Sequence, residues 1–204
     1  MSYSLNSLSD GCYEGTSVLI NKFNIRDESQ LDIIEQGITS ALIAKAFIEI
    51  PFKNIDFDFY KMLHKYVFAD IYDWAGQIRN VNISKKGTNF CDFEKIEEYG
   101  KRIFDKLNKN NFLRDFSGED LIDEFTDLYC NLNYLHPYRE GNGRIQRLFL
   151  SMLLNNIGKS IDFTKIDKDL FMIATIKSVS GDIFMLKDIF RENITARDSS
   201  FHLE

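Results

Sequence analysis

Residues 142–155 constrain the fold more than any other segment. Ile145, Leu148, Phe149, Leu150, Met152, Leu153 and Leu154 cover nearly the whole circumference of a helix. A helix that is apolar all round must be buried on every side, so other helices have to wrap it. They are predicted by 3.6-residue periodicity. Residues 28–48 place Leu31, Ile34, Ile38, Leu42 and Ala46 on one face, with Asp27 or Ser29 as cap. Residues 56–70 place Phe59, Met62, Leu63, Tyr66 and Val67 together. Residues 94–109 do the same with Ile96, Tyr99, Ile103 and Leu107. Residues 118–134 carry Leu121, Ile122, Phe125, Leu128, Tyr129 and Leu132 behind Ser117, a good N-cap. Two shorter helices follow at 164–178 and 183–192, and Gly158 stops the central one. The expected fold class is all-α, a single domain over residues 1–204 built around a buried central helix.

One segment does not read as helix. In residues 78–92, IRNVNISKKGTNFCD, Val81 and Ile83 alternate with polar residues, and Lys85 to Asn89 supply turn chemistry before Phe90. This predicts a small β-hairpin or ordered flap; the plainer alternative is a surface loop.

Composition narrows the partners. The 25 basic and 31 acidic residues give a net charge of −6, which argues against broad binding to nucleic acid or anionic membrane. A local basic site is compatible with it. Only 2 prolines among 204 residues, with 18 phenylalanines, fit a packed helical domain. Cys12, Cys91 and Cys130 are distant and odd in number, so reduced thiols in a cytoplasmic setting are expected and delivery into another cell stays open. The N-terminus lacks the basic and apolar regions of a secretory signal. No apolar run reaches the ~18 residues of a membrane span.

The chemistry is concentrated in HPYREGNGRIQR, residues 136–147. Pro137 ends the preceding helix by disfavouring helical geometry at His136. Gly141 and Gly143 permit tight turns and close ligand approach. The buried helix then begins, and its first N–H groups and positive dipole end form an anion site suited to phosphate. Arg144 and Arg147 lie three apart on one face and can converge on a polyanion. Glu140 at the lip makes sense beside phosphate if it holds Mg²⁺. His136 is a base with a pKa near neutrality. Singly, each residue has a plainer reading as a cap, a turn or a solvated face. Together they describe a nucleotide-phosphate pocket with a metal ligand and a general base.

HPYREGNGRIQR resembles the signature of the Fic domain family, HxFx(D/E)GNGRxxR, with Tyr138 standing where the family has Phe. GCYEGTSVLINKFNI resembles the family's N-terminal entry, and DIYDWAGQIRNVNISKKGTNF its Tyr-x-Trp-Ala-Gly segment and flap, so the resemblance covers about residues 10–192. It implies a Fic-type helical bundle and a protein adenylyltransferase that moves AMP from ATP onto a Tyr, Ser or Thr hydroxyl of a target protein. His136 would be the general base, and Glu140 would bind Mg²⁺. Gly141, Asn142 and Gly143 would wrap the phosphates, with the Asn142 side chain as an extra donor. Arg144 and Arg147 would hold the β- and γ-phosphates. The flap at 78–92 would clamp the target's main chain by strand addition, with Ile83 and Lys85 as contacts. The extra hydroxyl of Tyr138 needs a hydrogen-bond partner.

Many members of that family are inhibited by a helix bearing (S/T)xxxE(G/N), whose Glu pairs with the second signature arginine, here Arg147. The only Ser or Thr followed four residues on by Glu is Ser200, before Glu204, and no Gly or Asn follows. Glu35 and Glu192 lie in near misses and are expected to be solvated helix charges. The inhibitory helix is therefore expected from a separate antitoxin, as in toxin–antitoxin pairs; an internal Glu35 or Glu192 switch is the alternative.

Other functions compete less well. A catalytically silent or differently specific nucleotide-binding interaction module of the same fold is the alternative reading. The intact GNGR disfavours phosphate transfer, which goes with a degenerate loop. No P-loop GxxxxGK[ST] and no zinc-type HExxH is present.

Overall fold

In the computed structural model, which describes residues 4–5, 11–85 and 88–197, the all-apolar segment forms helix α5 (Asn142–Asn156) at the centre of the core. Around it lie α1 (Glu28–Glu49), α2 (Phe57–Phe68) and α4 (Gly118–Leu135), each in contact with α5. Helix α3 (Ile96–Lys109) packs on α2 and α4, and α6 (Lys168–Val179) and α7 (Phe184–Asn193) also pack on α4. Phe149 of α5 meets Tyr60 edge-on, with ring centroids 5.5 Å apart, and Phe104 at 5.3 Å. Each such pair adds ~0.5–1.5 kcal/mol to the burial of its rings. The expected all-α class holds, and among the described residues no helix is long and apolar enough to cross a membrane.

The helix boundaries follow their caps. Asp27 accepts from the Gln30 amide at 2.8 Å and Asp56 from that of Phe59 at 2.8 Å. Ser117 occupies the N-cap position of α4, but its side chain makes no capping hydrogen bond. Helix α6 starts four residues later than its periodicity suggests. Asp162 accepts from both the amide and the hydroxyl of Thr164, which holds that stretch in a turn, and Asp167 caps the helix instead.

Two faces are rotated from expectation. On α1 the buried side is Leu31, Glu35, Thr39 and Ala46, while Ile34 is 36% exposed. Glu35, expected as a solvated charge, is only 6% exposed; Glu192 is exposed as expected. On α2, Met62 points outward and His64 inward. In both cases the inward polar residue meets a polar partner on or beside the 136–147 loop.

The predicted hairpin is present as β2 (Ile83–Lys85) and β3 (Thr88–Asn89), paired antiparallel with Ser84 opposite Asn89. Strand β1 (Ser4–Leu5) lies on the other edge of β2. A second sheet, not anticipated, joins β4 (Lys159–Ile161) to β5 (Ile194–Ala196) and ties the end of α5 to the end of α7. The Ser200 to Glu204 match lies outside the described residues.

Candidate active site

The loop between α4 and α5 rests on an aromatic floor supplied by α2. Tyr138 is fully buried, and His64 stacks on it with centroids 3.8 Å apart and on Phe68 at 4.6 Å. The His64 Nδ1 accepts from the Gly76 amide at 2.9 Å, so the ring proton sits on Nε2 and is donated to the Glu140 carbonyl at 3.1 Å. Burial holds His64 neutral, its pKa lowered to about 3. Asn142 closes the loop from within. Its Oδ1 accepts from the Tyr138 amide at 2.8 Å and its Nδ2 donates to the Tyr138 carbonyl at 2.7 Å. This differs from the phosphate role expected of that side chain: the carboxamide is committed to bracing the loop. Gly141 has φ +81°, and a Cβ there would collide with the Phe68 ring, so only glycine lets the backbone lie on this floor.

His136 caps α4 in the left-handed region, with φ 39° and ψ 60°. Its Nδ1–H donates to the Asn133 carbonyl at 3.2 Å, which puts the lone pair on Nε2. The Phe90 ring covers the imidazole face, with centroids 3.7 Å apart. Burial is the largest cause of a pKa lowered to about 3, helped by the positive charges of Lys85 and Arg79. The imidazole is therefore a neutral acceptor at physiological pH.

The two arginines face different partners. The Arg144 guanidinium is ion-paired with Glu35, donates to Thr39 at 3.2 Å and reaches Glu140 at 3.2 Å, while the Phe68 ring lies 4.8 Å beneath it. The Tyr72 hydroxyl donates to the second oxygen of Glu35. Glu140 also accepts from the Gly141 amide at 2.7 Å. Arg147 has no salt bridge among the described residues, and burial pushes its pKa below the usual range. A cavity of about 840 Å³ opens above them, lined by His136, Gly143, Arg144 and Arg147 from the loop and helix, and by Lys85 of the flap. A cavity of this size is in the range of small-molecule sites. It joins a neutral base, a helix N-terminus and a half-buried guanidinium with no carboxylate partner among the described residues.

The profile of the Fic/DOC family matches residues 54–154. Similarity runs over nearly the whole chain. It is 38% identical over 184 residues to a "Probable protein adenylyltransferase" of Sinorhizobium fredii, covering 90% of this chain and 94% of that protein. The chain belongs to the Fic/DOC family. It is also 29% identical to a "Probable protein adenylyltransferase Fic" of Escherichia coli, over 92% of this chain and 93% of that one. The crystal structure of the Bartonella tribocorum effector BepC with bound AMPPNP shares the fold. Its TM-score is 0.85 at 26% identity, over 92% of this chain and 97% of that one.

Within this Fic/DOC chain, the structure brings His136, Glu140, Gly141, Asn142, Gly143, Arg144 and Arg147 into one loop and one helix start. Of the flap residues, Lys85 lines the cavity, whereas Ile83 is buried at 4% exposure and stands opposite Leu5 of β1. Four contributors had no signal in the motif. Glu35, His64 and Arg79 bind the loop or its arginine from sequence-distant positions, and Tyr72 holds Glu35 in place.

The Tyr138 hydroxyl donates to the Tyr60 carbonyl at 3.1 Å, so the departure from the family's Phe is accommodated inside the core. Tyr138→Phe deletes one buried hydrogen bond. It should lower stability by about 1 kcal/mol and leave nucleotide affinity within two-fold, as read by chemical denaturation and calorimetry. A ten-fold affinity change would show that the hydroxyl acts in the site.

Proposed function

We propose that this chain is a protein adenylyltransferase acting on a hydroxyl side chain of a target protein. The observation that carries the reading is Arg147 of α5, a half-buried guanidinium without a carboxylate partner among the described residues, in the same cavity as neutral His136 at the end of α4. A polyphosphate supplies the missing anion. The N–H groups of Asn142 and Gly143, which have no intrahelical acceptor, meet the phosphates, and Arg144 and Arg147 neutralise them. The hydroxyl oxygen attacks the α-phosphorus and its proton passes to Nε2 of His136. The bond from the α-phosphorus to the bridging oxygen breaks, and pyrophosphate leaves. Positioning and charge neutralisation do most of the work in such a transfer.

No cluster of three metal-ligating side chains occurs among the described residues. Mg²⁺ would then be held by Glu140 together with phosphate oxygens and water, a common mode for this cation. When bound it would neutralise phosphate charge. The target would align its main chain along the flap by strand addition. Strand β1 already occupies one edge of β2, so the target displaces it or adds at β3.

The inhibitory helix is assigned to a separate antitoxin chain. Glu35 pairs with Arg144 rather than Arg147 and does not line the cavity, and Glu192 is exposed. Neither is placed to displace a γ-phosphate. Glu35→Gly should therefore not raise AMP transfer; it should lower stability, toward the low end of the ~3–5 kcal/mol lost when a buried pair loses one partner. Glu192→Gly should change neither. A gain of activity in either variant would restore the internal switch.

The direct test incubates the purified chain with Mg²⁺, ATP labelled on the α-phosphate, and cell lysate. Label on protein that is absent with γ-labelled ATP supports AMP transfer. Nucleotide binding without protein label sinks the reading.

A further inference from the structure

Arg79 lies outside the 136–147 signature, yet it touches the catalytic loop and both roots of the flap. It is 2% exposed. Its Nε–H donates to the His136 carbonyl at 2.9 Å, one Nη to the Val81 carbonyl at 2.7 Å and the other to the Cys91 carbonyl at 2.5 Å. Its own amide donates to the Pro137 carbonyl at 2.8 Å. The Cys91 amide donates in turn to the Tyr134 carbonyl at 2.9 Å, so the returning root of the flap is tied to the end of α4 as well.

Three physical consequences follow from this set of bonds. First, His136 is a non-glycine residue in the left-handed region, a conformation that persists only when its surroundings over-determine it. The Arg79 bond to its carbonyl and the bond to Pro137 supply that constraint. Second, the guanidinium sits at the C-terminal end of α4, where the helix dipole favours a cation. Third, Val81 and Cys91 bracket the hairpin, so one rigid fork sets the flap relative to the imidazole. Three carbonyls in three directions suit the planar guanidinium and not the point charge of lysine.

We propose that Arg79 is a positioning residue that couples the target-binding flap to the backbone of His136. It holds the target's main chain and the base that receives the target's proton in one register. Its activity readouts rest on the AMP-transfer reading above. Since Arg79 does not line the nucleotide cavity, its loss separates transfer from nucleotide binding.

The experiment compares wild type with Arg79→Met and Arg79→Lys. It reads ATP affinity by calorimetry, kcat and KM for ATP in AMP transfer, and amide hydrogen exchange along the chain. ATP affinity and KM should stay within two-fold of wild type. A misplacement of about 1 Å costs on the order of 100-fold in rate, so kcat should fall about that far in Arg79→Met. Arg79→Lys, which keeps charge but loses the fork, should fall about ten-fold. Exchange should quicken at residues 81–91 and 136–138 and not in α5. A kcat within two-fold of wild type in a folded variant overturns the proposal, as does an ATP affinity that falls in step with kcat. If Arg79→Met does not fold, Arg79→Lys alone decides. The exchange readout needs no activity: unchanged protection of the flap in Arg79→Lys overturns the coupling. Quickened exchange with no wild-type labelling sinks only the AMP-transfer reading.

Discussion

Replacing His136 with alanine should lower AMP transfer by roughly 10²–10⁴-fold, the usual contribution of a positioned general base, and leave ATP binding in place. The separation is expected because, on the proposed reading, the arginines and the start of α5 would hold the phosphates without the imidazole. The pH dependence is equally specific. Burial, Arg79 and Lys85 disfavour the charged ring and lower its pKa to about 3. The basic form thus prevails above about pH 4, whereas an unperturbed histidine loses it below ~6.5. Single-turnover rates should stay flat from pH 8 to pH 5 as far as His136 is concerned. An acid limb centred near 6.5 would contradict the buried neutral ring. Linkage runs with the same sign. The folded pKa lies below the unfolded one for both His136 and His64, so their stabilisation is complete above ~6.5 and is lost as pH falls from there toward 3.

Gly141→Ala should be the most disruptive single-atom change in the loop. Holding alanine in the left-handed region costs ~1–2 kcal/mol. The collision of its Cβ with the buried Phe68 ring adds an overpacking cost of ~1–3 kcal/mol. Together these approach ~2–5 kcal/mol, a large part of the ~5–15 kcal/mol that holds a typical domain. At ~2–4 °C per kcal/mol for a chain of this length, the melting temperature should fall by roughly 4–20 °C. The damage reaches function by a traceable route. Phe68 lies beneath the Arg144 guanidinium and against His64, so moving its ring displaces the guanidinium proposed to hold phosphate and the Glu140 carbonyl. AMP transfer should therefore fall by more than the loss of folded protein accounts for. Gly37→Ala is the control. Its Cβ meets nothing within 4 Å inside α1, and removing a helix glycine should stabilise by up to about 1 kcal/mol. An unchanged melting temperature in Gly141→Ala would mean that the loop can lift from its floor at little cost.

Sequence alone was sufficient wherever the information is local. Helix α5 announces itself because its apolar residues surround one axis, and burial is the only environment that tolerates them. The chemistry of residues 136–147 is legible because a proline, two glycines, a helix start and two arginines act on one another within twelve positions. The hairpin at Ile83–Asn89 is legible for the same reason, through alternation followed by turn residues. Tertiary structure decided what depends on partners far along the chain. The periodicity of α1 offers overlapping faces, and the one containing Ile34 is as apolar as the one chosen. What turns Glu35 inward is Arg144, 109 residues away, together with Tyr72. His64 reads as one polar residue on an apolar helix until the Glu140 carbonyl, 76 positions on, receives its proton. Arg79 reads as part of a polar loop until three carbonyls converge on it. A buried charge or imidazole is stable only where partners satisfy it, and in this protein those partners come together only when the chain has folded.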